Sequence, residues 1–516
     1  MKLRLIIGTI LFSFITQAGL KAQTLDPGFG TGGRVRTIVA GKVQAIARQN
    51  DGKIITAGTS YLDISNHFQL MRFNADGKVD STFGLNGVVQ TPISFMSAAE
   101  AIAIQPDGKI LVGGTYQTGD FANIYHFVIT RYKADGTPDS TFGTNGLVMP
   151  ESGFTDELTD MVLQSDGKII MGGAISNLPN TNVTSFLLAR FNSNGTPDAG
   201  FGTGGSTVTS INTTSEIRDI SLLTDGSIIA AGQSGLYDSP NPDYRNFAIA
   251  KYNAQGNLDA SFGTNGFVET DVVTGAADFL QSMTVQPDGK IIAAGSFAAN
   301  HYLVRYQSNG SIDNTFGTNG KSVRTSLPGT LELTLRNDNK ILTTVSINGN
   351  GPSTDFMMNS YLPNGSTDAT FGTNGTLLTD FPSAIPEGSN DLSGCMLITP
   401  DGKMVVAGTS EGSIALVRYN AMGETAIKDP SFNKLDLSVY PNPFEGVLNL
   451  RLNNISGSVP VTVVLNNILG QQLFSTKTIL KESGTVIKLP NLIPGNYILS
   501  VTTDNGEHLI RKITKK

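Results

Sequence analysis

The stretch "DGTPDSTFGTNG" at residues 135–146 repeats, almost word for word, "DGKVDSTFGLNG" at residues 76–87. Its DxxF core recurs at Asp26/Phe29, Asp80/Phe83, Asp139/Phe142, Asp198/Phe201, Asp259/Phe262, Asp313/Phe316, Asp368/Phe371 and Asp429/Phe432, at intervals of 54 to 61 residues. A sustained period of this length marks a repeat architecture. Each interval has one grammar: an apolar run ("AIAIQ" at 101) meets a turn ("PDGK" at 106) and a second run ("ILVGGT" at 110), and "FVITRY" at 127 then leads through "ADGT" at 134 into the DxxFG phrase. Asp-Gly between β-rich runs predicts tight two-residue hairpins, because such turns need the positive φ that glycine and Asn or Asp tolerate. The first turn recurs at Asp51, Asp107, Asp166, Asp225, Asp288 and Asp401, with Asp338-Asn339 as the imperfect copy. Each interval thus reads as four antiparallel strands.

Four-stranded units of this size predict an all-β chain whose residues 24–432 form a β-propeller rather than a solenoid. Eight anchors bound seven intervals. The N-terminal "LDPGFGTGG" has no strands before it, and the last unit trails off in "AMGETAIKDPSF". A ring closes without an open sheet edge if the N-terminal segment supplies the outer strand missing from the last unit, so seven four-stranded blades are expected. Eight blades with one degenerate, or an open array, are the alternatives. The motifs resemble the delta-60 repeat family, whose pattern "DGK…AG…RYNxDGxxDxxFGxxG" is matched across residues 24–432. That resemblance implies propeller blades of the NHL and WD kind and no general enzymatic activity. The sixth unit departs from it, with Ser360 at the usual basic position.

The repeated basic residue before an aromatic (Arg72, Arg131, Arg190, Lys251, Arg305, Arg418) stands, in the first five, eight residues before the Asp of DxxF. Across a two-residue turn, that spacing predicts a bidentate ion pair between the third and fourth strands, as in Arg72–Asp80, Arg131–Asp139 and Arg190–Asp198. The ring of DxxF (Phe83, Phe142, Phe201) is expected to wedge between neighbouring sheets, followed by a glycine that lets the backbone turn.

Residues 1–22 open with Lys2 and Arg4, an apolar run from Leu5 to Ile15, and small residues near Ala22. This predicts a cleaved signal peptide, since the run is shorter than the roughly 20 residues of a membrane span, and so no transmembrane segment in the mature chain. With Cys395 as its one cysteine the chain makes no internal disulfide, and that residue reads as a small buried hydrophobe on a strand. A net charge of -7 without a basic stripe argues against nucleic acid as a partner.

From residue 433 to 516 the texture changes to alternating apolar strands with Pro and Gly turns, predicting a small β-sandwich of immunoglobulin-like size. Tyr440-Pro441-Asn442-Pro443, Leu469-Gly470, Leu492, Pro494-Gly495-Asn496-Tyr497 and the basic tail Arg511, Lys512, Lys515 and Lys516 resemble the type A C-terminal sorting domain of the type IX secretion system. That resemblance implies a Bacteroidota-type bacterium, type IX secretion machinery as a partner, removal of the tail, and release or attachment at the cell surface.

Chemistry is sparse. No GxSxG, HExxH or P-loop occurs, and the DG turns lack the alternating acids of a calcium loop, so neither a cofactor nor a metal is expected. His67, His126 and His301 fall at the entrance to the third strand, with no acid at ligand spacing, and read as half-exposed structural side chains. Asp160, Asp219 and Glu332 align with one another at the start of the inner strand, where acids at a channel mouth would hold a cation or a basic ligand; other units place Ala45, Ala101, Ser282 and Cys395 there. The DG turns all fall on one rim, leaving the variable loops on the other, where Tyr116, Phe121, Tyr125, Tyr237 and Tyr244 are contact candidates for a surface glycan or protein. The expected function is a non-catalytic binding or adhesion module. A glycan hydrolase or lyase and a structural surface-layer component are the alternatives.

Overall fold

The computed structural model describes residues 24–516 except 62–64, 119–123, 151–154, 177–182, 237–243, 299, 326–329, 347–353, 383–389, 422–435, 442, 454–457, 468–471, 482–483, 491 and 504–507. The expected leader, Phe121, Tyr237, the Asp429/Phe432 anchor, Asn442, Leu469 and Gly470 lie outside the described residues. The chain divides into two compact units, one ending at Thr425 and the other beginning at Ala426. Every named element is a β-strand.

Among the described residues, the first unit holds five antiparallel sheets of four strands, each in chain order, and one of seven. The seven-stranded sheet arises because one strand, Arg34–Arg48, belongs to both ends of the chain. Its beginning pairs with the last unit (Arg34 opposite Val417, Arg36 opposite Ala415), and its end pairs with the first (Gly41 opposite Ser60 through Arg48 opposite Ile54). The N-terminal segment therefore does supply the outer strand that the last unit lacks. The inner strands Arg34–Arg48, Ser97–Ile104, Thr155–Leu163, Thr214–Leu222, Phe279–Val285, Thr330–Leu335 and Asp391–Ile398 pack each against the next, and the last against the first. The core lies between sheets: Ile55, Phe68, Leu70 and Phe83 of the first sheet share one apolar cluster with Ile110, Val112, Val128 and Tyr132 of the second.

The hairpins differ from expectation by one residue. Gln105 N donates to Lys109 O, Gly108 N donates to Gln105 O, and Gly108 has φ 85°, which makes a three-residue loop with a left-handed glycine rather than a two-residue turn. The second turn is built alike, with Asn74 N on Lys78 O and Gly77 N on Asn74 O.

The DxxFG phrase is the joint between sheets. Asp139 lies in the turn before the outer strand, and its Oδ2 meets Arg131 Nε at 2.8 Å. The pairing is single rather than bidentate, because the other guanidinium nitrogens are engaged elsewhere: Nη1 donates to Ser193 O of the next sheet and Nη2 to Thr141 Oγ1. The guanidinium carbon also stands 4.6 Å from the centre of the Phe142 ring. Arg72, Arg190 and Arg305 repeat the pattern, with Nε to Asp80, Asp198 and Asp313 at 2.7 to 2.8 Å. Gly143 N donates to Asn194 O across the same joint, and a Cβ on Gly195, which has φ +91°, would meet Phe142 at 3.0 Å. At the closing joint Arg418 takes Asp26, 392 residues away, at 2.8 Å.

The lysine of "DGK" joins most of these pairs. Lys53, Lys109, Lys168, Lys290 and Lys403 reach the same carboxylates at 2.9 to 3.6 Å, and in the sixth unit Lys340 holds Asp368 at 2.8 Å where Ser360 replaces arginine. Although burial pushes Asp80 up, hydrogen bonds from Thr82 and Lys53 and the Arg72 charge bring it down to about 2.

In the second unit, Asp436–Tyr440, Val447–Asn453 and Thr485–Lys488 form a three-stranded sheet, and Gln472–Lys481, Ser458–Asn467, Gly495–Thr503 and His508–Lys515 a four-stranded one. Both sheets contribute to one core, with Leu448, Leu450 and Leu452 from the first and Val463, Leu465 and Leu499 from the second. Arg511 of the basic tail donates from Nε to Leu437 O at 2.9 Å and so ties one sheet to the other.

Because Arg131 and Asp139 are both buried, Arg131→Ala leaves Asp139 with only Lys109, 3.6 Å away, as a counter-charge and is expected to cost about 3 to 5 kcal/mol in urea unfolding. Lys109→Ala, whose side chain is a third exposed, is expected to cost under about 1 kcal/mol.

Candidate functional site

The inner strands enclose a cavity of about 1010 Å³. Its wall is shaped by a repeated irregularity: the pairing of the inner strand with the second strand slips by one residue at Gln44, Glu100, Thr159, Arg218, Gln281 and Gly394. Such a bulge leaves a residue out of the ladder and turns polar side chains toward the cavity.

Asp160, Asp219 and Glu332 all line this cavity, as their alignment predicts. Their oxygens, however, serve the neighbouring sheet. Asp160 accepts from Met161 N at 2.7 Å and from Ile220 N, one sheet on, at 2.9 Å. Asp219 accepts from Met283 N at 2.7 Å and from the Ser282 hydroxyl at 3.1 Å. Ser282 Oγ in turn accepts from Leu333 N at 3.2 Å, and Glu332 accepts from Met396 N. Four consecutive sheets thus pass one acceptor each to the next, which accounts for a polar side chain at this position in units three to six and for Ala45, Ala101 and Cys395 elsewhere.

Each acid touches cavity space on one side and dense protein on every other. Burial pushes Asp160 up to about 6, and Asp219 and Glu332 go well above the carboxylate range, first through burial and then through repulsion from the acids around them. Cys395 beside them is buried and its thiol is pushed up as well, the expected inert hydrophobe.

The wall also carries charge that alignment on the anchor did not single out, at the bulge residues Glu100 and Arg218 and at Glu157 and Lys42, which stay in the ladder. Glu100 is pushed up by burial and accepts from Gln44 Nε2 at 2.7 Å. Glu157 keeps open surface toward the cavity, yet the protein around it and the neighbouring Glu216 push it up too. Lys42 and Arg218 are the two bases of the wall, against five acids. The available signal is a polar residue interrupting an apolar strand, as in "AEAIA" and "IRDIS".

The aromatic candidates divide. Tyr125 lines the cavity. Tyr116 does not offer a face to a ligand, because it is buried in the core with its ring 5.9 Å from that of His126. Tyr244 is half-buried beside the third strand of the fourth sheet. Phe279, which the sequence did not single out, is exposed in the cavity wall. The histidines are not half-exposed throughout: His126 and His301 are buried, and His126 Nδ1 stands 3.2 Å from Asp156 Oδ2. That acid lies thirty residues away in sequence and beside it in space.

With the geometry in place, similarity to known proteins is specific in two regions. Residues 49–83, 105–142, 164–201, 223–262, 286–316 and 399–432 match the family described as domain of unknown function DUF5122, beta-propeller, and residues 438–516 match the secretion system C-terminal sorting domain. The protein thus carries β-propeller repeats of the delta-60 kind followed by a domain that directs export by type IX secretion to the cell surface or beyond. No curated protein matches the chain. Among solved structures, Sqt1 from Chaetomium thermophilum is similar at 9% identity and TM-score 0.42, over 75% of this chain and 97% of its own. The extracellular domain of a putative one component system from B. thetaiotaomicron is similar at 10% identity and TM-score 0.26, over 92% and 68%. A protein from Lactobacillus plantarum is similar at 11% and 0.35, over 74% and 99%. None is similar enough to carry a functional inference. No described helix is long and apolar enough to cross a membrane.

The raised Asp160 makes a signed prediction. Below its ordinary value of 3.8 the carboxyl is neutral in both states; as pH rises toward about 6 the unfolded chain releases the proton and the folded one retains it, so stability falls over that window. Asp160→Asn, neutral throughout and able to keep one of the two backbone bonds, is expected to lose less stability than the wild type as pH rises from 4 to 7, read in urea midpoints. Parallel curves would count against a buried, proton-holding Asp160.

Proposed function

We propose that this protein is a seven-bladed β-propeller, closed by its N-terminal strand, that works at the bacterial surface as a non-catalytic binding module for ligands bearing a positive charge. Residues 1–22 serve as its signal peptide, and residues 433–516 form an immunoglobulin-like sandwich that type IX machinery recognises and removes. The shared strand Arg34–Arg48 and the circuit of inner strands support the blade count. The observation that carries the ligand class is the cavity itself, walled by five acids and two bases.

An amine or a basic peptide entering this space meets Glu100 and Glu157, whose charge is poorly compensated, and a ring surface in Tyr125 and Phe279. Asp160 and Asp219 lie deeper and are occupied by backbone donors, which suits a wall more than a reacting group. A glycan hydrolase or lyase is the second reading, favoured by one observation: carboxyls raised toward neutrality, as in Asp160 at about 6, have the proton affinity a general acid needs.

A glycan and peptide array probed with the purified protein separates the two. Binding of basic ligands, stronger at pH 8 than at pH 5 because raised carboxyls ionise as pH rises, and lost in Glu100→Gln/Glu157→Gln with the circular dichroism unchanged, is the expected result. Turnover of any glycan that disappears in Asp160→Asn would replace binding with catalysis. For the tail, a reporter fused to residues 433–516 is expected to reach the surface of a type IX-competent cell, and retention inside the cell would refute the sorting role.

A further inference from the structure

Where one sheet hands over to the next, three positions meet: the start of a third strand, the end of the outer strand beside it, and the start of the following inner strand. Between the fourth and fifth sheets these are Asn246, Asp271 and Asp278; between the sixth sheet and the last they are Asp355, Asp380 and Asp391. The two places are built alike. Val272 N donates to Asp278 Oδ2 at 2.6 Å and Phe381 N to Asp391 Oδ2 at 2.8 Å, and parallel bridges join Arg245 to Ala277 and Thr354 to Asn390.

A third copy shows what these positions do when they carry no charge. Ser185 and Ser210 hydrogen-bond each other at 2.9 Å, and Ile211 N donates to Ser215 Oγ at 3.4 Å. Hydroxyls both donate and accept, so serines close the gap themselves. Ionised carboxylates only accept, and a cluster of them needs something positive between its members.

At the last handover, one carboxylate oxygen from each of Asp355, Asp380 and Asp391 lies within 4.8 Å of the others, and the Arg34 guanidinium stands beside them, donating from Nε to Asp380 O at 2.9 Å. At the fourth, Asn246 Oδ1, Asp271 Oδ1 and Asp278 Oδ1 are each buried without a donor, although Asp278 is only 1% exposed. A buried acceptor left without a partner is costly and rare, and three in one place are rarer. Lys321 offsets part of the Asp278 charge from nearby, but its Nζ donates to Val272 O at 2.8 Å. Burial and the Asp271 charge still push Asp278 up to about 6.

We infer that the fourth handover is a calcium site, with one ion held by Asn246, Asp271 and Asp278 and clamping the fourth sheet to the fifth. Oxygen donors alone select a hard cation. Carboxylates on irregular links, which do not impose a regular octahedron, suit calcium better than magnesium. This inference does not depend on the proposed ligand of the central cavity.

The test uses the full chain, stripped with a chelator and titrated with calcium by calorimetry. Terbium provides a second readout, through emission sensitised by Tyr306, whose hydroxyl bonds the adjacent Thr270 at 2.9 Å. Asp271→Asn leaves the Asp278 backbone bonds in place and avoids a folding defect. One ion bound by the wild type and none by Asp271→Asn, with a calcium-dependent rise in unfolding temperature that the variant loses, is the expected pattern. No heat and no thermal shift in the wild type, or a stoichiometry unchanged in Asp271→Asn, would overturn it. Magnesium matching calcium in both readouts would overturn the choice of ion.

Discussion

A carboxylate that leaves water must be surrounded by donors, and the propeller is organised around the one in each DxxF. Asp139 receives Arg131 and Lys109 on one oxygen and its own turn, through Thr141, on the other. The guanidinium that neutralises it also reaches a carbonyl of the next sheet and covers the aromatic ring wedged between the two. Charge compensation inside a sheet and attachment between sheets are therefore one interaction. Arginine suits this because its planar fork reaches three separate acceptors while its face lies on the ring, and the compact ammonium of a lysine has no such face. The copies that lack it show the substitution rule: Lys251 keeps the pair with Asp259 at 2.9 Å, and Lys340 with Ser360 replaces the arginine at Asp368.

Nearer the axis, a second set of bonds answers a different need. Each bulge displaces the backbone, and an acceptor on the preceding sheet takes up the N–H beyond it, from Asp160 through Asp219 and Ser282 to Glu332. The outer joint brings acids below their ordinary range, as at Asp80, whereas the inner relay holds them above it. Two opposite solutions to burying a carboxylate thus sit in one domain, separated by whether a cation accompanies it.

The fold was legible because its signals are local and repeated. The DG turns, the arginine eight residues before aspartate and the wedged phenylalanine recur often enough that copies explain each other. Details that depend on three-dimensional direction were not. Nothing in the spacing of Arg131 and Asp139 shows that the guanidinium turns side-on toward Ser193 O, which makes the pair single. Asp156 meets His126 only because adjacent sheets touch there, and Ser282, seen as the copy without an acid, proved to be a link in the relay. The candidate site was half legible: alignment located Asp160, Asp219 and Glu332 on the cavity wall, but Glu100 sits on a bulge that breaks the strand's alternation, the pattern used to read it, and Glu157 lies two residues before the next bulge.

The strand Arg34–Arg48 is a latch whose two halves belong to opposite ends of the repeat array. Asp26 and Arg418, the ion pair that fastens it, are separated by nearly the whole domain. Loop-closure entropy makes such a contact among the last to be rewarded during folding. Until the last sheet forms, the first half of this strand therefore presents an open edge to any second copy of the chain, and closure of the array removes that edge.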